Sequence, residues 1–224
     1  MLDRKKHYLQ IALNSTPSDA RDIISKLPIS DRIIIEAGTP LIKEYGAGVI
    51  QDIRSYLNSR SFGSNGLDPY IVADMKCMDR GEEEVRIAAD NGASAAVALG
   101  QAPTETLNSF IQACKAFGID SMIDMMNVEK PYQVIRKLKD LPTVVILHRG
   151  VDEERYSNKM LPIHMINKIK GTFNVIVAVA GGDSAREIQS ASFNGADIIV
   201  VWKNFYTPSE DIESLANNFL ANIK

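Results

Sequence analysis

Residues 70–79 read YIVADMKCMD, an apolar, β-branched run of strand length that closes on three charged side chains, Asp74, Lys76 and Asp79. Runs of the same kind begin near Tyr8, Arg32, Ser94, Ser121, Thr143, Asn174 and Asp197, with charged helical segments between them. The eight starts are 24, 38, 24, 27, 22, 31 and 23 residues apart. Each interval holds one strand, one helix and two short loops, the rhythm of repeated βα units. Eight units in 224 residues predict an α/β chain folded as a single (β/α)8 barrel over residues 1–224. The alternative is a doubly wound open sheet, which usually has fewer strands and a phosphate-binding glycine fingerprint after the first. Here LQIALN is followed instead by Ser15, Thr16 and Pro17.

Composition narrows the partners. Twenty-five Lys plus Arg against 28 Asp plus Glu give a net charge of −3, no electrostatic footprint for nucleic acid or an anionic membrane. The longest strongly apolar stretch, 174–180, is too short to span a bilayer, and MLDRKKHYLQ lacks the apolar core of a signal peptide, so a cytoplasmic protein is expected. Cys77 and Cys114 form no C-x-x-C pair, which predicts reduced thiols and neither a disulfide framework nor a zinc knuckle.

Helix boundaries support the repeat. Thr16-Pro17 reads as N-cap and first helical position, and Pro40 after Thr39 opens a longer helix. Two inserts stand out. The polar stretch 58–69 precedes a strand and belongs to the stability face, whereas 150–162 follows a strand and overhangs the face where barrels place chemistry. Residues 151–159 are therefore a candidate lid.

Polar residues at strand ends carry the functional signal. Asp74 and Lys76 are two apart and should share one side of the third strand, with Asp79 in the loop beyond. A Lys buried among carboxylates stays cationic and suits an anion developing in a transition state; the other reading is an ion-pair layer capping the barrel. Glu36 ends the second strand in phase with Ile34 and should neighbour Asp74. Such a pair either holds a hard cation such as Mg²⁺, with waters completing its shell, or has one carboxylate bonded to Lys76 and the other hydrated. His148 ends the sixth strand in phase with Val144 and Ile146, either structural or able to shuttle a proton. Gly181 and Gly182 end the seventh strand at a turn that could admit an anion, with Asp183 or Ser184 as N-cap. Trp202 and Lys203 end the eighth: the Lys can neutralise a phosphate, and the Trp is expected to anchor packing against the C-terminal helix or a dimer surface.

Taken in order, LQIALN, EAGTPLIK, IVADMKCMD, ILHRGVDEE and AVAGG resemble the orotidine 5′-phosphate decarboxylase suprafamily. Within it they are similar to the branch of 3-hexulose-6-phosphate synthase and 3-keto-L-gulonate-6-phosphate decarboxylase. The likeness runs from Tyr8 to the C-terminal helix. It implies a homodimeric barrel with shared active sites that uses Mg²⁺ to stabilise the enediolate of a phosphorylated sugar. The branch reactions are aldol addition of formaldehyde to ribulose 5-phosphate or a sugar-phosphate decarboxylation. The resemblance makes Glu36 and Asp74 metal ligands, Lys76 the cation beside the enediolate, His148 a proton shuttle and Asp79 a residue that crosses into the partner's site. Gly181, Gly182 and Lys203 would hold the phosphate. Two positions depart from the pattern: Asn14 stands where the first strand normally ends in Asp, and Trp202-Lys203 where the eighth normally ends in Gly followed by Arg or Gly. The Asn14 amide can still hydrogen-bond to Lys76 or to a substrate hydroxyl. These departures leave room for a non-catalytic relative that binds a sugar phosphate or a protein partner.

Overall fold

The structure, a computed structural model, describes residues 1–60, 68–157, 159–182, 184–208 and 210–223. Eight parallel strands close into a barrel in chain order: β1 (Tyr8–Leu13), β2 (Ile33–Ala37), β3 (Tyr70–Cys77), β4 (Ala95–Leu99), β5 (Asp120–Asp124), β6 (Val144–His148), β7 (Ile176–Ala180) and β8 (Ile198–Val201). Each observed start lies within two residues of the expected one. β8 pairs with β1, so the sheet has no free edge.

Side-chain alternation divides the core into two apolar layers. Tyr8, Ala12, Ile34, Val72, Val97, Met122, Ile146, Ala178 and Val200 pack together inside the barrel. Their sequence neighbours, among them Ile11, Ile35, Ile71, Val145 and Val177, face the helices. Strands sandwiched in this way are apolar on both faces, which explains the three consecutive isoleucines of β2. The bottom is closed by Leu2 and Tyr70 against the inner layer. Asp120 Oδ2 accepts there from the Tyr70 hydroxyl (2.7 Å) and the Leu2 amide (3.0 Å).

The first helix, α1 (Pro17–Lys26), begins as its sequence predicts, with Thr16 and Asp19 forming a capping box. The single long helix expected after Thr39 is instead two, α2 (Thr39–Tyr45) and α3 (Gly48–Ser59). They part at Gly46, whose φ of 78° and ψ of 169° only glycine adopts readily. Gly38 is the N-cap of α2, leaving the Thr39 hydroxyl for another partner. Of the polar insert before β3, residues 61–67 lie outside the described residues; 68 and 69 lead into the bottom of the barrel.

The later strands are followed in the chain by α4 (Gly81–Asp90), α5 (Thr104–Phe117), α6 (Pro131–Ile135), α7 (Val151–Ser157), α8 (Ile166–Lys170), α9 (Ala185–Phe193), α10 (Lys203–Tyr206) and α11 (Ile212–Asn222). The second insert therefore contains a short helix, α7, directly above β6. No helix among the described residues is long and apolar enough to cross a membrane.

Nothing among the described residues lies within 4 Å of a Cβ built on Gly46, so its backbone angles are what resist a side chain. Gly46→Ala should cost about 1–3 kcal/mol in urea denaturation. Gly48→Ala, in equally open space without a positive φ, should cost little; equal losses at both positions would refute the backbone explanation.

Candidate active site

The inward-facing polar residues at the tops of β2, β3, β5 and β6 meet in one cluster. Lys76 Nζ donates to both oxygens of Asp74 (2.9 and 2.8 Å) and to Asp124 Oδ2 (2.8 Å). The same Asp124 oxygen lies 2.8 Å from His148 Nδ1. The Thr39 hydroxyl, freed from capping, reaches the Asp74 main-chain oxygen (2.7 Å) and carboxylate (2.9 Å). Below them Gln10 Nε2 donates to Glu36 Oε2 at 2.5 Å, while the Gln10 side-chain oxygen Oε1 is buried without a partner among the described residues.

Asp74 and Lys76 thus meet, but not through simple alternation. The β3–β4 register shifts between Ala73 and Cys77, and Lys76 sits at φ 49°. A bulge re-aims the lysine toward the barrel axis, and a left-handed backbone at a non-glycine residue marks a position held by its surroundings. The carboxylate that joins Asp74 on the ammonium is Asp124. The sequence reading passed over it, although it ends β5 in phase with the buried Met122, the same signature that singled out Glu36. Gln10, a polar residue in the middle of the apolar run LQIALN, was equally legible.

Burial opposes charge throughout the cluster, and the partners decide each outcome. Burial works against the Lys76 ammonium, but Asp74, Asp124 and Glu36 outweigh it and raise its pKa above the ordinary lysine range. Burial would also raise Asp124, yet His148 and Lys76 hold its carboxyl well below the usual range. For His148, desolvation is outweighed by Asp124, so its pKa is raised and the imidazolium is favoured. Glu36 goes the other way. Burial first and the Asp74 charge second push its carboxyl up to about 7, despite Lys76 and Gln10.

That Glu36 result bears on a metal. A buried carboxylate driven toward neutrality beside a second carboxylate lacks positive charge, which a hard cation would supply. No group of three or more acidic, His or Cys side chains is arranged for a metal among the described residues. An ion held by Glu36 and Asp74 would complete its shell with water or substrate oxygens, as Mg²⁺ does.

The remaining sequence candidates lie elsewhere. Asp79 is exposed, and its main-chain oxygen accepts from Cys77 Sγ at 3.2 Å; it does not join the cluster within this chain. Asn14 makes no hydrogen bond to Lys76 among the described residues. Its main-chain amide donates to the Tyr206 hydroxyl (2.8 Å), and its Oδ1 lies 1.9 Å from where a Gly38 Cβ would stand. Trp202 packs against the inner layer at the mouth of the barrel, whereas the sequence suggested the C-terminal helix or a dimer surface.

The turn after β7 also has a different logic from the one expected. A Cβ on Gly181 (φ 90°) would stand 2.1 Å from the Arg149 carbonyl oxygen, and one on Gly182 would stand 2.6 Å from Leu161 Cδ1. Both glycines make room for neighbouring protein. Ser184 caps α9 with Glu187 in a capping box, and Asp183 lies outside the described residues. Lys203 Nζ donates to Glu154 Oε2 of α7 (2.6 Å), and Arg149, buried beside it, was passed over as a site residue by the sequence reading.

Residues 7–207 match the family described as orotidine 5′-phosphate decarboxylase / HUMPS family. The bifunctional enzyme Fae/Hps of Methanocella arvoryzae is 41% identical over 220 residues, which are 97% of this chain and 53% of that protein. Its counterpart from Methanospirillum hungatei is 42% identical over 214 residues, 95% and 52% of the two chains. The chain thus spans about half the length of the curated relatives it matches. A crystal structure of 3-hexulose-6-phosphate synthase superposes with a TM-score of 0.83 at 28% identity, covering 97% of this chain and 100% of that one.

Because Asp124 raises the His148 pKa, the imidazolium adds stability that is complete below the unfolded value of 6.5 and is lost as pH rises through the folded value. An NMR titration of the His148 ring should place its midpoint above 6.5 in the native protein and distinctly lower in Asp124→Asn. An unmoved midpoint in the variant would mean that another group holds the proton.

Proposed function

The chain belongs to the orotidine 5′-phosphate decarboxylase / HUMPS family, and from that premise we propose that it is a lyase of the 3-hexulose-6-phosphate synthase type. Its reaction would be aldol addition of formaldehyde to ribulose 5-phosphate. The observation that supports this reading most directly is Lys76, an ammonium fixed between Asp74 and Asp124, with His148 on the same Asp124 oxygen and Glu36 alongside. Relatives named for this activity and a shared fold at 28% identity support it as well.

Each side chain has a role in that chemistry. His148, bonded through Nδ1 to Asp124, presents Nε2 as the base that takes the C1 proton of the ketose. Asp124 favours the imidazolium and so stabilises the state after transfer. Lys76 places positive charge beside the oxygen that becomes anionic as the enediolate forms. The enediolate carbon then bonds to formaldehyde, and the imidazolium returns its proton to the new alkoxide. Glu36 and Asp74 would hold Mg²⁺, which would supply Lewis-acid charge to the developing enediolate. The phosphate, held by Lys203 near the β7 turn, would orient the reacting carbons from a distance. In this reading the protein is a homodimer, and the exposed Asp79 acts in the partner's site.

The decisive test follows exchange of the C1 hydrogen of ribulose 5-phosphate with deuterated water by NMR, without formaldehyde, with Mg²⁺ or with a chelator. Mg²⁺-dependent exchange is expected, falling on the order of 10²–10³-fold in Lys76→Ala. Full exchange in the chelator would remove the metal from the account, and no exchange by folded protein would favour a non-catalytic relative. Shared sites predict that mixing inactive Lys76→Ala and Asp79→Ala subunits restores part of the activity. No rescue after verified subunit exchange would place Asp79 outside the chemistry.

A further inference from the structure

The cations above β6, β7 and β8 are held in an arrangement that the reaction alone does not require. Arg149 is 9% exposed and directly follows β6. Its Nη1 lies 3.0 Å from Glu187 Oε1 and 3.3 Å from the Lys159 carbonyl oxygen. Its Nη2 donates to the Gly181 carbonyl oxygen and lies 3.5 Å from Glu154 Oε1. Its Nε is buried with no hydrogen-bond partner among the described residues. Glu154 meanwhile turns its other oxygen to Lys203 Nζ at 2.6 Å. One carboxylate of α7 thus bridges two cations that follow β6 and β8, beside a buried guanidinium N–H without an acceptor among the described residues.

The two carboxylates on Arg149 are not equivalent. Glu187 is fixed twice more, accepting through Oε2 from the Ser184 amide (3.3 Å) and hydroxyl (2.7 Å) in the capping box of α9. Glu154 has no such second anchor among the described residues, and its helix buries none of its residues. Tyr156 of that helix is 79% exposed. Glu153 ties α7 to its own ends only, through the Gly150 amide (2.8 Å) and Lys159 (2.5 Å). An element held by charge at a partly exposed surface opens at little cost.

We propose that Glu154 is a displaceable counter-ion, occupying Arg149 and Lys203 until a phosphate dianion takes its place, and that Arg149 is thereby a phosphate-binding residue alongside Lys203. The proposal rests on the functional reading for the identity of the ligand, a phosphomonoester, and not for any chemical step. A phosphate carries more charge than a carboxylate and has three terminal oxygens to meet the donors that Glu154 leaves unmatched. Arginine's planar fork suits such an oxyanion better than a lysine point charge does. Displacement would also release the tie between α7 and Lys203, so that arrival of the phosphate and movement of the segment over the site become one event.

Inorganic phosphate is the probe, titrated by calorimetry and by emission of Trp202, the single tryptophan, whose ring centroid is 5.9 Å from Lys203 Nζ. In Glu154→Gln, which keeps the shape and removes the charge, phosphate should bind roughly 5- to 10-fold more tightly, about 1 kcal/mol. Lys203→Gln and Arg149→Lys should each weaken binding severalfold. Equal or weaker binding in both Glu154→Gln and Glu154→Ala, each with a native-like melting transition, would overturn the proposal. So would a native protein and Glu154→Gln that both ignore phosphate, and unchanged affinity in Arg149→Lys would remove Arg149 from the site. C1 exchange of ribulose 5-phosphate, scored in parallel, separates the two claims. Exchange without tightening ends the counter-ion proposal alone, whereas tightening without exchange ends the proposed reaction alone.

Discussion

One oxygen atom, Oδ2 of Asp124, lies 2.8 Å from both Lys76 Nζ and His148 Nδ1. With its side chain 1% exposed, Asp124 would be costly as an ion unless both cations stayed beside it. Each cation in turn is buried enough to need the carboxylate. Breaking such a set by removing one partner typically costs about 3–5 kcal/mol, because a buried charge is then left uncompensated. The left-handed backbone of Lys76 belongs to the same constraint. A strain of about 1–3 kcal/mol persists only where the surroundings over-determine it. Charge-assisted hydrogen bonds to Asp74 and Asp124 do so here.

The barrel was legible because its constraint is local and repeated. Each strand must be apolar on both faces and short, and each is followed by a helix, so strand starts could be counted from the chain alone. Strand phase also gave the correct inward side for Glu36, Asp74 and His148, since β2 and β6 are regular. It failed as an explanation at Lys76, where the bulge replaces alternation. It also missed Asp124, whose importance lies in a lysine 48 residues away on another strand. The break at Gly46 and the role of Thr39 were hidden for a related reason. The dipeptide Thr39-Pro40 has the chemistry of a helix start, but which hydroxyl caps the helix depends on how close Asp74 lies.

Trp202 shows a different limit. The sequence placed bulk at the end of β8 but could not say on which side the indole falls. In the structure it packs on the inner apolar layer, at the seam where β8 pairs with β1. Asn14 follows the end of β1 at that same seam. Both departures from the family pattern thus follow the ends of the paired strands β1 and β8. The charge cluster is built from β2, β3, β5 and β6, and it reaches β1 through Gln10, which donates to Glu36.

The two halves of the site differ in sign, and β6 joins them. Glu36, Asp74 and Asp124 outnumber Lys76 and His148, and burial first, with the Asp74 charge second, pushes Glu36 toward neutrality. On the other side Arg149 and Lys203 are met by Glu154 and Glu187, residues borrowed from two helices. His148 and Arg149 are consecutive, and alternation sends the first into the acidic cluster and the second to the cationic rim. A single rigid strand end thus sets the spacing between the group that would move a proton and the group that would hold a phosphate. Remote binding energy can orient reacting carbons only if that spacing is fixed. Here it is fixed by the β6–β7 register, which pairs His148 with Ala180 directly before the Gly181 turn.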